Sequence, residues 1–222
     1  MSSDLAAIAP DPVRRRVMMG LTKISLVLKS HAWQKAAPQG ITPTQGQILT
    51  TLQRTSEGLR LTGIANELGV TLPTVSDAVN TLVEKGLVRK KRAAADGRSL
   101  ALKLTAKGRR LAERVSTWPD FLMETVDDLT MEEQEIFLRG LVKMIRSLQE
   151  KGMIPVARIC VTCSFFRPNV YDDPQRPHHC GFLDAQFGDR NLQIECPEHD
   201  VAPEQASQQN WNVFLINRQV VS

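Results

Sequence analysis

Thr71-Leu-Pro-Thr-Val-Ser-Asp-Ala-Val-Asn-Thr-Leu-Val-Glu-Lys85, followed at once by Gly86-Leu-Val-Arg-Lys-Lys-Arg92, decides how this chain folds. Thr71 offers a side-chain acceptor for a helix start, Pro73 suits a first turn and Gly86 suits a C-cap. The stretch therefore predicts a helix from about Leu72 to Lys85. Val75, Val79 and Leu82, with Ala78, fall on one face and are its expected core contacts. Thr74, Asp77 and Thr81 lie together on another face, with Asn80 flanking them and Ser76 in the same turns. That outer face is short, polar and free of bulky apolar groups, as a helix lying in the major groove of DNA requires. The hydroxyls and the Asn80 amide suit base edges or phosphates. Asp77 would have to accept from cytosine N4 or orient a basic neighbour.

On the C-terminal side, the run Leu87–Arg92, a turn at Asp96-Gly97 and the alternating Leu100-Ala-Leu-Lys-Leu104 read as a β-hairpin. Lys90, Lys91 and Arg92 are placed to neutralise phosphates, and Arg98, just past the turn, to enter a minor groove. Between Lys85 and Arg114, 11 basic residues face only Asp96 and Glu113, a local field that favours a polyanion. On the N-terminal side, Leu61-Thr62 leads into a short helix, Gly63 to Leu68, closed by Gly69. Thr42-Pro43 opens a helix with Ile48, Leu49 and Leu52 as its buried stripe. A longer helix runs from about Asp11 to Ala36, with Val17, Leu21, Ile24 and Leu28 at helical spacing. Helix, turn, helix, hairpin is the order of a winged helix. A helix from about Ala106 to Thr125, bent near Pro119, follows. Thr130 and Glu133 then make a capping-box pattern for a last long helix, with Ile136, Leu141, Met144, Ile145 and Leu148 as its stripe.

Ile41-Thr-Pro-Thr-Gln-Gly-Gln-Ile-Leu49, Leu61–Leu68, Thr74–Val88 and Asp96-Gly-Arg98 through Leu104-Thr-Ala-Lys-Gly108 together resemble MarR-type regulators. The resemblance spans roughly residues 12–150. It implies a homodimer with interdigitated N- and C-terminal helices, reading a pseudopalindromic operator in double-stranded DNA. It also implies that Arg98 reaches the minor groove, that Asp96 buttresses the wing, and that the protein represses until a ligand, metal or oxidant releases it. Members of that family end near the last long helix, whereas this chain continues for about 70 residues.

The extension carries all four cysteines, spaced Cys160-x2-Cys163-x16-Cys180-x15-Cys196, with His199 three residues beyond the last. In a reducing compartment such soft ligands indicate a metal site. Four thiolates suit tetrahedral zinc, with His199 able to replace Cys180. The absence of a second tight knuckle counts against zinc. The wide spacing and Pro197 after the last cysteine suit an iron–sulfur cluster, which Phe165, Phe166, Phe182 and Phe187 would shield. Zinc is slightly favoured at this stage. His178 and His179 are expected to cap turns or support the ligands rather than bind metal themselves.

The chain has 222 residues, 42% hydrophobic, with no apolar run of membrane-spanning length and no signal-like N-terminus, so the cytoplasm is the expected location. The expected fold is mainly α with a small β-hairpin wing: a DNA-binding and dimerisation domain over residues 1–152, a metal-stapled irregular module over 153–202, and a docked tail over 203–222. Trp211-Asn-Val-Phe-Leu-Ile216 in that tail reads as an apolar strand. The expected function is sequence-specific DNA binding in transcription regulation, with affinity set by the cysteine site. The alternative is a small ligand sensed in the dimer cleft, with structural zinc alone. No Ser/His/Asp grouping, paired carboxylates or phosphate loop points to an enzyme, and a redox enzyme or electron carrier is the outlying reading.

Overall fold

A computed structural model describes residues 13–92, 100–154 and 157–216. They belong to two compact units, one made of Met1–Ile64 with Leu72–Leu122, the other of Ala65–Thr71 with Met123–Ser222. No helix among the described residues is long and apolar enough to cross a membrane.

The first unit begins with α1 (Val13–Ala36), which leads through a 3-10 turn into α2 (Pro43–Gln53). Thr42 caps α2 reciprocally: its hydroxyl accepts from Gln45 N–H at 3.2 Å, and Gln45 Oε1 accepts from Thr42 N–H at 3.1 Å. Pro43, which lacks an N–H, therefore costs nothing at the first position. Ile48, Leu49 and Leu52 are buried as their spacing predicts, and so are Val75, Val79 and Leu82 of α4 (Leu72–Glu84). A short α3 (Leu61–Leu68) precedes α4, and Gly69, at φ +63°, ends it with Val70 N–H donating to Ala65 O. At the other end of α4, Gly86 takes φ +67°. The amides of Gly86 and Leu87 donate back to Val83 O and Leu82 O, satisfying carbonyls the helix would otherwise leave open.

Strands β1 (Val88–Arg92) and β2 (Leu100–Leu104) pair antiparallel, with Val88 opposite Leu104 and Arg92 opposite Leu100. Leu59 adds a one-residue third strand, exchanging two backbone hydrogen bonds with Leu102 at 3.2 and 2.8 Å. Gly58 makes that approach: it holds φ +81°, and a Cβ there would lie 2.5 Å from Leu102 O. Behind the hairpin, the Thr105 hydroxyl accepts from Gly108 N–H and donates to Gly86 O, capping α5 (Ala106–Ser116). A Cβ on Gly108 would fall 2.0 Å from Leu87 O. The Leu-Thr-x-x-Gly pattern is thus a mould that seats α5 on the start of β1.

The helix read as one bent rod over 106–125 is two: α5, then a 3-10 turn at Trp118–Asp120 and α6 (Phe121–Asp127). Pro119 cannot donate to the helical ladder, and the chain breaks there. Of the four residues at helical spacing along α1, Val17 at 49% and Ile24 at 42% are exposed within one chain, and Leu21 and Leu28 are half-buried.

The second unit centres on α7 (Met131–Glu150), opened by the expected Thr130/Glu133 capping box. Its buried line is Val142 and Arg146, flanked by Leu138 and Ile145, whereas Ile136 and Met144 of the expected stripe are exposed. The reason is what packs there: Val142 shares a core with Ile159, Val161, Cys163, Phe166 and Phe214 of the cysteine region. That region holds β3 (Phe166–Arg167), β4 (His178–Cys180) and β5 (Ala185–Phe187), an antiparallel sheet in that order. The tail is a helix, α8 (Glu204–Leu215), rather than a strand. It docks through Phe214, fully buried in this core.

Candidate DNA-reading surface and cysteine cavity

Helix α4 exposes Thr74, Asp77 and Asn80 and leaves Ser76 and Thr81 half-buried, so all five residues singled out from sequence are accessible. The Thr81 hydroxyl donates to Asp77 O at 3.1 Å, which leaves its lone pairs free to accept. Lys90, exposed on β1, donates to Asn80 Oδ1 at 3.2 Å. This contact ties the wing to the reading face of the helix and orients the Asn80 amide. Lys91 is exposed one residue on, and Arg92 ends the strand opposite Leu100. Arg89 is exposed in the same strand and was missed, although it stands in the same basic run. Asp96 and Arg98 lie outside the described residues.

The four cysteines come from separate pieces of chain: Cys160 and Cys163 from a 3-10 turn and its exit, Cys180 from the end of β4, and Cys196 from the segment before Pro197. All are free thiols, and all four line one cavity of about 480 Å³, walled by Phe165, Phe166, Phe182 and Phe187. Gln193 N–H donates to Cys160 Sγ at 3.2 Å, a contact with no sequence signal. Burial pushes the Cys160 thiol up to about 11, and the neighbouring cysteines add to this against the Gln193 hydrogen bond. The thiol therefore holds its proton at neutral pH. Among the described residues, no three His, Cys, Asp or Glu side chains close up around a single-ion site. The four cysteines share the lining of one space.

The histidines have other partners. His178 is fully buried, accepting from Asn169 N–H at Nδ1 and lying 2.8 Å from Asp189 Oδ1 at Nε2. His179 Nδ1 lies 2.9 Å from the Tyr171 hydroxyl. His199, weighed as a substitute ligand, has Nε2 3.0 Å from Thr162 Oγ1 and is not part of the cavity wall. Burial, then the charge of Arg158, holds its pKa below the usual histidine range. Burial would raise the Asp189 carboxyl, but His178 and Arg139 hold it below the usual carboxylate range.

The MarR family model matches residues 39–99, which run from just before α2 to the residue before β2. The DNA complex of MepR from Staphylococcus aureus is 34% identical, covering 58% of this chain and 95% of that one, with a TM-score of 0.52. The chain belongs to the MarR family. The same regulator in its DNA-binding conformation gives 34% identity, 60% and 98% coverage, and a TM-score of 0.53. CouR from Rhodococcus jostii RHA1, bound to p-coumaroyl-CoA, shares the fold at 18% identity, 63% and 93% coverage, and a TM-score of 0.50. No curated protein matches the chain.

MarR-family membership makes the protein a winged-helix DNA-binding transcription regulator. The cysteine cavity lies wholly beyond the matched residues 39–99.

Proposed function

We propose that this protein is a homodimeric MarR-type repressor whose affinity for a pseudopalindromic site in double-stranded DNA is set by an iron–sulfur cluster on Cys160, Cys163, Cys180 and Cys196. The observation that carries the cluster is that Cys160, Cys163, Cys180 and Cys196 all line one cavity of about 480 Å³. A zinc ion draws four ligand atoms to about 2.0–2.3 Å of one point, whereas a cluster carries its thiolates at the corners of a body that needs room. The donor set, the phenylalanine walls and the Gln193 N–H donated to Cys160 Sγ all suit the cluster. When bound, the cluster supplies redox- or oxidant-sensitive chemistry; the chain's part is to hold it, exclude water with the phenylalanines and donate to the Cys160 sulfur.

The dimer is supported by apolar surface that one chain leaves uncovered: Met18 and Leu26 of α1 are each 61% exposed and Trp33 is 50% exposed. DNA contact rests on Thr74, Ser76, Asp77, Asn80 and Thr81, on Lys90, Lys91 and Arg92, and on Asp96 and Arg98 in the wing. Metal analysis and a visible spectrum of protein purified without oxygen test the cluster. Several irons and sulfides per chain in a brown protein are expected, and one zinc in a colourless protein overturns the cluster. Replacing Arg98 with Ala should weaken operator binding by about 1–3 kcal/mol with the dimer intact, and unchanged gel-shift affinity would remove the wing from the interface.

A second reading, ligand sensing with structural zinc, has one observation in its favour. A cavity of about 700 Å³ lies among Leu28 and Ala32 of α1, Gln47 and Arg54 of α2, and Trp118 and Phe121. DNA affinity indifferent to the metal state would favour it.

A further inference from the structure

We infer that Arg146 and Arg139 make helix α7 a reader of the cysteine cavity, transmitting the state of the bound metal to the surface that a second copy covers. This rests on the reading of the cavity as a metal site. Arg146 is only 4% exposed. Its guanidinium donates to Val161 O at 3.2 Å and to Ser207 Oγ at 2.9 Å, pairs with Glu150 at 3.0 Å, and lies over the Trp211 ring at 4.8 Å. Val161 stands inside Cys160-x-x-Cys163, so the carbonyl held by α7 belongs to the turn that presents the first two sulfurs.

Two helical turns earlier on the same face, Arg139 donates to Asp189 and to Phe214 O and lies 4.1 Å from the Phe214 ring centre. Asp189 in turn holds His178, on the strand that ends in Cys180. The segments carrying three of the four cysteines are thus fastened to one helix through two guanidinium groups.

A guanidinium withdrawn from water is stable only while its carbonyl and carboxylate partners stay in place. Metal ligation fixes the Cys160–Cys163 turn and the end of β4. When ligation is lost, those partners become free to move, and the arginines must follow them or return to water. Either response loosens α7. The opposite surface of α7 exposes Phe137 at 43% and Met144 at 42%, apolar area suited to a second copy. Loss of metal then weakens the dimer, and with it the binding of a two-fold DNA site.

The test compares amide hydrogen exchange along α7 in the full chain, loaded and then stripped of metal. Protection of the amides from Arg139 to Glu150 should fall about tenfold or more on stripping. Unchanged protection overturns the relay even where the metal is present. In parallel, Arg146→Met should keep its iron, sulfide and visible spectrum. Its dimer dissociation constant should differ less than about twofold between loaded and stripped forms, against about tenfold in the parent. A variant that keeps both its spectrum and the full difference also overturns the relay. Should the variant lose its metal outright, the exchange experiment on the parent decides. A parent chain that binds no metal under anaerobic reconstitution fails at the earlier step and removes the cavity reading together with the relay.

Discussion

In the first unit, Ile48, Leu49, Val75, Val79 and Leu82 come from helices whose apolar period is plain in the sequence, and all five side chains are buried. In the second, Val142, Phe166 and Phe214 share their core with the buried ring of His178, and Arg146 is buried on the same helix as Val142. The first core needs only shape and the removal of apolar area from water. The second is bound by directional contacts that hold only while every partner is placed. A reading head must present one fixed surface to DNA, so the first construction suits it. Contacts that can be withdrawn suit a unit that responds, the role proposed for the second.

The largest test of this contrast is Phe214→Ala. Removing a fully buried ring should cost the second unit about 3–5 kcal/mol. Amide exchange should then show protection lost at Val142 and Val161 and kept at Ile48 and Leu49; equal loss in both would erase the contrast. Gly108→Ala is the converse. Its methyl group would meet Leu87 O at 2.0 Å, and relieving that overlap should cost the first unit about 1–3 kcal/mol. Thermal unfolding followed separately in each unit should show the wing and α5 affected and the cysteine core spared.

These residues also show what the sequence made legible. The faces of α4 could be read because period and capping act over a few residues, and Val75, Val79 and Leu82 obey them. The third strand escaped because one residue, Leu59, has no period. The buried face of α7 was misjudged because hydropathy sends Ile136 and Met144 inward and arginine outward. The groups that accept Arg139 and Arg146, Asp189 and Ser207, lie 50 and 61 residues further along the chain. Trp211–Ile216 looked like a strand by its aromatic and β-branched content, but Phe214 alone is buried there and the segment is the end of a helix. The four cysteines announced a shared site. The cavity between them depends on how three segments fold around it, which spacing does not encode.

The smallest expected effect sharpens the contrast by acid. Asp189, held below the usual carboxylate range, contributes stability that is present above the ordinary aspartate value of 3.8 and is lost as pH falls through its lower folded value. Acid titration below about pH 4 should therefore loosen the second unit before the first, with the change reduced in Asp189→Asn; simultaneous loss in both units would contradict it.

His178 has one more consequence, a spectroscopic one. Its Nδ1 faces a backbone N–H that can only donate, so the ring proton sits on Nε2 and one tautomer is fixed. The ring is sealed from solvent, with the rings of Phe166, Phe187 and Phe214 at 5.3, 5.4 and 5.7 Å. Nitrogen-15 labelling of histidine would give a slowly exchanging, ring-current-shifted resonance two residues from Cys180. The protein thus carries its own nuclear magnetic resonance reporter on the wall that bears the third sulfur, and no label need be attached.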